Sequence, residues 1–109
     1  MTHTQVTFNA IADALAAEHK QVTRGKMMSS PGIRYKDKNF AFFHKGQMVF
    51  KLGRETDPET LNVSSYSILS PFKTKPPLVD WFQIPVDDQN RWEPLARQAL
   101  KRMMEELGA

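Results

Sequence analysis

A chain of 109 residues, 40% hydrophobic and 25% charged, has the composition of one folded domain and not of a disordered tail. It has no cysteine, which excludes disulfide staples, thiolate zinc sites and thiol nucleophiles together, and suits a reducing cytoplasm. The net charge of +3 hides a basic middle: residues 20–54 hold nine cations against one carboxylate, Asp37, a balance of +8.

Such a segment attracts anionic partners, although lysines also keep strand surfaces soluble and edges unpaired. No run approaches the roughly 18 apolar residues of a membrane span. The start, "MTHTQVTFNA", lacks a charged stretch followed by an apolar one. The expectation is therefore a single domain over residues 1–109, cytoplasmic and not membrane-bound.

Phe8, Ile11, Ala12, Leu15 and Val22 recur at helical steps and predict a first helix, with Thr7 or Thr4 as its N-cap. Gly25 is placed at its C-terminal cap, with Lys20 and Arg24 at the negative helix end. "MMSSPGI" reads as a loop, because Ser30 precedes a proline and Pro31-Gly32 is turn chemistry. Three short strands follow: "IRYK", "FAFF" and "MVFKL". A turn at Asp37-Lys38 joins the first two.

The second turn has two registers. With Lys45-Gly46 as a two-residue turn, Phe43 faces Met48 and Lys51 joins the aromatic face. With His44-Lys45-Gly46 as a three-residue turn, Phe42 faces Met48. The second register gathers Ile33, Tyr35, Phe40, Phe42, Met48, Phe50 and Leu52 on one side. Each buried side chain contributes about 1.5 to 3 kcal/mol, which selects the three-residue turn. The opposite face then carries Arg34, Lys36, Ala41, Phe43, Val49 and Lys51. That mixture of cations with apolar groups makes Arg34, Lys36, Phe43, Val49 and Lys51 the candidate interaction surface.

Asp57-Pro58-Glu59 signals a helix start, over about residues 58–64, while "NVSSYS" is strand-like. "LSPFKTKPPL" is a loop, and "VDWFQIP" is a further strand ending at Pro85. Trp92, Leu95, Ala96, Ala99, Leu100, Met103 and Leu107 form the stripe of a last helix, with Asn90 and Glu93 as a capping box.

No motif for zinc hydrolysis, phosphate-loop or dinucleotide binding is present. His3, His19 and His44 fall on a tail, a helix and a turn. Asp87-Asp88 reads as a helix cap, and Asp80 has no partner carboxylate. These residues give no catalytic, cofactor-binding or metal assignment. The aromatic-rich motif of RNA-binding sheets is missing, and of the second face only Phe43 could stack a base.

"GKMMSSPGIRYKDKNFAFFHKGQMVFKLG", then "PF", "VDWFQIP" and "WEPLARQAL", resembles the TfoX N-terminal domain family. Met27, Gly32, Phe40, Ala41, Lys51, Leu52, Phe72, Trp81, Pro85, Trp92 and Ala99 fit that pattern. Ser29 and Ser30 stand where the family has glycines, and residues 55–70 match poorly. The resemblance implies an α+β fold: a two-layer antiparallel sheet of four to five strands, with N-terminal and C-terminal helices packed on one face. The family includes the N-terminal half of regulators of competence for DNA uptake, and it supplies no catalytic residues. The expected function is a non-enzymatic protein-interaction or regulatory module, acting as a homodimer or on a protein partner. Nucleic-acid binding through residues 20–54 is the alternative, and a small-ligand pocket near Ser29, Asp80 and Trp81 is the third.

Overall fold

The computed structural model describes residues 3–27, 30–69 and 76–107. The chain runs α1 (His3–Glu18), β1 (Val22–Met27), β2 (Ser30–Tyr35), β3 (Lys38–His44), β4 (Gln47–Lys51), β5 (Ser67–Leu69), β6 (Leu78–Ile84) and α2 (Trp92–Glu106). A 3-10 turn covers Pro58–Leu61 and another covers Val86–Arg91. The six strands form one antiparallel sheet in the order β1-β2-β3-β4-β6-β5, one strand more than the upper expectation. Both helices pack on one face, α1 chiefly against β1 and α2 against β3 and β4. No helix among the described residues is long and apolar enough to cross a membrane.

The first helix is shorter than its periodicity predicts. It ends at Glu18, and Val22 N–H donates to the His19 carbonyl at 3.1 Å to turn the chain into β1. Val22 and Thr23 are β-branched and favour the strand. Gly25 is consequently a mid-strand residue opposite Gly32, not a helix cap. The helix already begins at His3, so Thr7 lies in its second turn, with its hydroxyl donating to Gln89 Oε1 at 2.9 Å. Ser30, Pro31 and Gly32 belong to β2; the expected loop at Met28 and Ser29 lies outside the described residues.

Both meander turns are two-residue turns. Lys36 and Asp37 have φ of 49° and 66°, and Lys45 and Gly46 have φ of 51° and 78°, the left-handed pairs that match strand twist. The expected three-residue turn at Gly46 is therefore corrected: Phe43 pairs with Met48 and Phe42 with Val49. The extra residue that burial demands lies in the preceding hairpin instead. Arg34 pairs with Asn39 but Ile33 with Ala41, so Phe40 is bulged between them. The bulge turns both Phe40 and Ala41 toward the helices, restoring the parity that Met48 and Phe50 need.

Six of the seven predicted core residues, Ile33, Tyr35, Phe40, Met48, Phe50 and Leu52, lie in the main core with α1 and α2. Phe42 goes the other way. It is fully buried in a second cluster with Val49, Leu69 and Trp81, to which neither helix contributes. The helix predicted over 58–64 is one 3-10 turn, capped by Asp57 and stopped at Asn62, whose φ is 56°. At α2 the capping box is not formed. The 3-10 turn holds Asn90, the helix starts at Trp92, and Pro94 sits in the first turn, where a missing N–H costs nothing. Trp92 anchors this end by donating its indole N–H to the Ile84 carbonyl at 3.2 Å.

Candidate interaction surface

Strand alternation gives the sheet a helix-covered face and a helix-free face. The helix-free face has two halves. Across β3, β4, β6 and β5 it holds the closed apolar cluster, in which the Phe42 and Trp81 rings meet edge-on at 5.4 Å. Gln47 and Gln83 hydrogen-bond beside it. Across β1, β2 and the start of β3 it is polar and shallow.

Two glycines shape the polar half. Gly25 and Gly32 are direct partners on β1 and β2, and neither presents a side chain. The Arg34 guanidinium lies across Gly25, where an added methyl would overlap it; the Asn39 carboxamide lies over Gly32. Asn39 Nδ2 reaches across to the Lys26 carbonyl at 3.3 Å. Arg34 Nε and Asn39 Oδ1 are buried without a hydrogen-bond partner among the described residues. Farther along β2, Ser30 Oγ lies 3.3 Å from His44 Nδ1. Burial, with Lys45 beside it, holds the His44 imidazole below its ordinary pKa and so favours the neutral ring.

The five expected surface residues do not share one face. Arg34, Val49 and Lys51 lie on the helix-free side, with Val49 fully buried. Phe43 lies on the helix side, its ring 5.5 Å from that of Phe8. Lys36 sits at a hairpin tip with its Nζ 5.6 Å over the Tyr35 ring. Phe43 is displaced because the turn at Gly46 has no extra residue. Val49 keeps its expected side but is covered there by Phe42, Leu69 and Trp81. The glycine pair, which gives the polar half its shape, was missed because Gly25 read as a cap and Gly32 as a turn. Its signal in the sequence is two glycines seven residues apart, flanking a strand hairpin.

The carboxylates are bound structurally. Asp80 accepts from the Arg54 N–H at 2.9 Å and from its Nε at 3.3 Å; burial pushes this carboxyl up, but the Arg54 bonds outweigh it and hold it low. Asp88 does not cap α2. It is buried and accepts from Ser64 N–H at 3.0 Å and Ser64 Oγ at 2.8 Å, anchoring the segment before β5. Arg97 forks onto Glu18 with two bonds of 2.7 Å and joins the helices. Among the described residues no three histidine or carboxylate groups converge as a metal site would require.

A family model, the TfoX N-terminal domain, matches residues 13–103. No curated protein and no solved structure gives a match. The matched span takes in all six strands and nearly all of α2, so the fold and the ordered pattern of residues agree, and the chain belongs to the TfoX N-terminal domain family.

Proposed function

We propose that the chain is a protein-interaction module of regulatory type, without chemistry of its own, whose polar sheet face receives an acidic partner. The observation that carries this reading is Arg34. Its guanidinium lies across Gly25 on the helix-free side, and no carboxylate among the described residues pairs with it. Lys51 shares that side and likewise has no ion pair among the described residues. Cations held on a shaped, helix-free surface draw an acidic partner and fix its orientation. Arg34→Glu with Lys51→Glu is expected to abolish co-purification of protein partners while leaving the fold intact by circular dichroism. Unchanged co-purification would overturn the reading.

A second reading is nucleic-acid binding. Its support is that residues 20–54 fold into four adjacent strands, with Lys36, Lys38 and Lys45 exposed at the hairpin ends. It differs from the sequence expectation in one respect. Phe43 is turned to the helices and the aromatics Phe42 and Trp81 are closed off, so base stacking has no platform and phosphate contacts remain. Titration with DNA and RNA at two salt concentrations separates the readings: affinity with a steep salt slope favours this one, and no binding at low salt removes it.

A further inference from the structure

We infer that the outer edge of β1 is a strand-addition site for an acidic, extended peptide. The inference rests on the reading of the chain as an interaction module and assigns its partner a conformation and a place.

β1 ends the sheet, and among the described residues no strand pairs with its outer side. The phase of its ladder follows from one bond. Lys36 N–H donates to the Gln21 carbonyl at 3.1 Å, so Gln21 and Lys36 form a hydrogen-bonded pair. Alternation then turns Thr23 and Gly25 toward β2 and turns Val22, Arg24 and Lys26 to the open edge. Val22 N–H is already taken by His19. The Arg24 N–H and carbonyl and the Lys26 N–H are left as the backbone groups an added strand would meet.

Cations flank this edge from both faces. On the helix side stand Lys26, which has no ion pair among the described residues, and Arg24, held over the Phe8 ring at 5.2 Å and bonded to Asn9 Oδ1 at 2.9 Å. Arg24 also lies 3.6 Å from the exposed Asp13 carboxylate, a solvent-screened pair that an incoming acidic side chain would compete with. On the helix-free side β1 offers Thr23 and Gly25, and the gap over Gly25 is filled from β2 by the Arg34 guanidinium. A peptide strand sends alternate side chains to opposite faces, so acidic side chains on either face meet a cation. A shallow cleft of about 550 Å³, lined by Arg24, Gly25, Lys26 and Pro31, lies along this edge.

Charge also decides between occupants. A second copy pairing antiparallel through β1 would bring Arg24 and Lys26 of each chain against those of the other, and like charges across a ladder destabilise it. An acidic strand turns the same charges into recognition, with backbone bonds supplying affinity.

The test uses the full chain, ¹⁵N-labelled, and a capped heptapeptide of alternating glutamate and threonine, with a lysine–threonine heptapeptide as control. The acidic peptide is expected to slow amide exchange at Arg24 and Lys26 and to bind more weakly as salt rises; the basic one is expected to do neither. Lys26→Pro removes an outward N–H without touching the β1–β2 ladder and is expected to weaken binding by roughly tenfold, beyond the loss in Lys26→Gln. Amide exchange in the unaltered chain decides the matter even if the proline variant folds poorly. Unslowed exchange at Arg24 and Lys26 overturns the inference. So does protection of these amides by self-association or by DNA in place of the peptide. Binding that shifts Lys51 but not the β1 amides overturns the edge site and leaves the interaction module standing; no binding of either peptide sinks the edge site alone, since co-purification tests the module separately.

Discussion

The rings of Phe8, on α1, and Phe43, on β3, lie 5.5 Å apart and tilted by 37°. This contact fixes which way β3 faces, because its neighbours Phe42 and His44 must then point to the helix-free side. Phe43 is therefore core-facing, and a charge there would meet the buried face of α1. Phe43→Asp is expected to destabilise the chain by about 2 to 4 kcal/mol, and Phe43→Leu by less than about 1.5 kcal/mol. Urea denaturation checks both. A midpoint unmoved in Phe43→Asp would return the side chain to the surface.

The Lys45-Gly46 turn is strained at its first residue. Lys45 holds φ of 51°, a region where asparagine is at home and lysine is not. Lys45→Asn is expected to stabilise by about 0.5 to 1 kcal/mol. Gly46→Ala is expected to cost about 1 kcal/mol through backbone strain alone, since an added methyl there meets nothing within 4 Å. Opposite shifts in Tm for the two variants are the readout; shifts of the same sign would contradict a paired left-handed turn.

Those turns also explain how far the sequence could be read. Burial required one extra residue somewhere between Tyr35 and Met48, and that requirement was legible from the spacing of the apolar side chains. Its position was not. A bulge at Phe40 and a longer turn at Gly46 hide nearly the same set on β2 and β4, and only Ala41, Phe42 and Phe43 on β3 distinguish them. Phe42 is buried in either case, because Trp81 and Leu69 supply a second cluster whose partners lie far along the chain. Gly25 misled for a different reason. The helical spacing through Leu15 continues on paper to Val22, although three residues of turn intervene. The last helix and the β6 strand were legible because their patterns are long and uninterrupted. The polar half of the candidate surface was not, since it depends on Gly25 and Gly32 becoming neighbours.

Gly53 follows β4 with φ of 92°, and its N–H donates to the Asp80 carbonyl at 3.0 Å. A methyl added there would overlap both the Glu55 carboxylate and the Arg102 guanidinium, which pair at 3.0 Å. Gly53→Ala thus combines a disfavoured backbone with a displaced ion pair that ties this loop to α2. The expected loss is about 1 to 3 kcal/mol, measured by chemical denaturation. Arg102→Gln in the same background separates the parts. If the ion pair carries the effect, the second substitution adds little to the first; if strain carries it, the losses add.

Asp88 makes stability depend on pH in a defined direction. The Ser64 backbone N–H and then its hydroxyl hold the carboxyl below its ordinary value, burial opposes them, and the Ser65 N–H at 3.4 Å adds to the lowering. A carboxylate whose pKa is depressed on folding contributes stability that is complete above its unfolded value. That contribution fades as pH falls through the folded value, because protonation removes the negative charge that strengthens the Ser64 hydrogen bonds. Asp88→Asn cannot accept with a charge at any pH. It is expected to be less stable than the parent chain at pH 7, with the difference constant down to the ordinary aspartate range and shrinking below it. Denaturation curves at a series of pH values give the comparison. A difference that persists unchanged into strong acid would mean that shape, not charge, is what Asp88 supplies to the segment before β5.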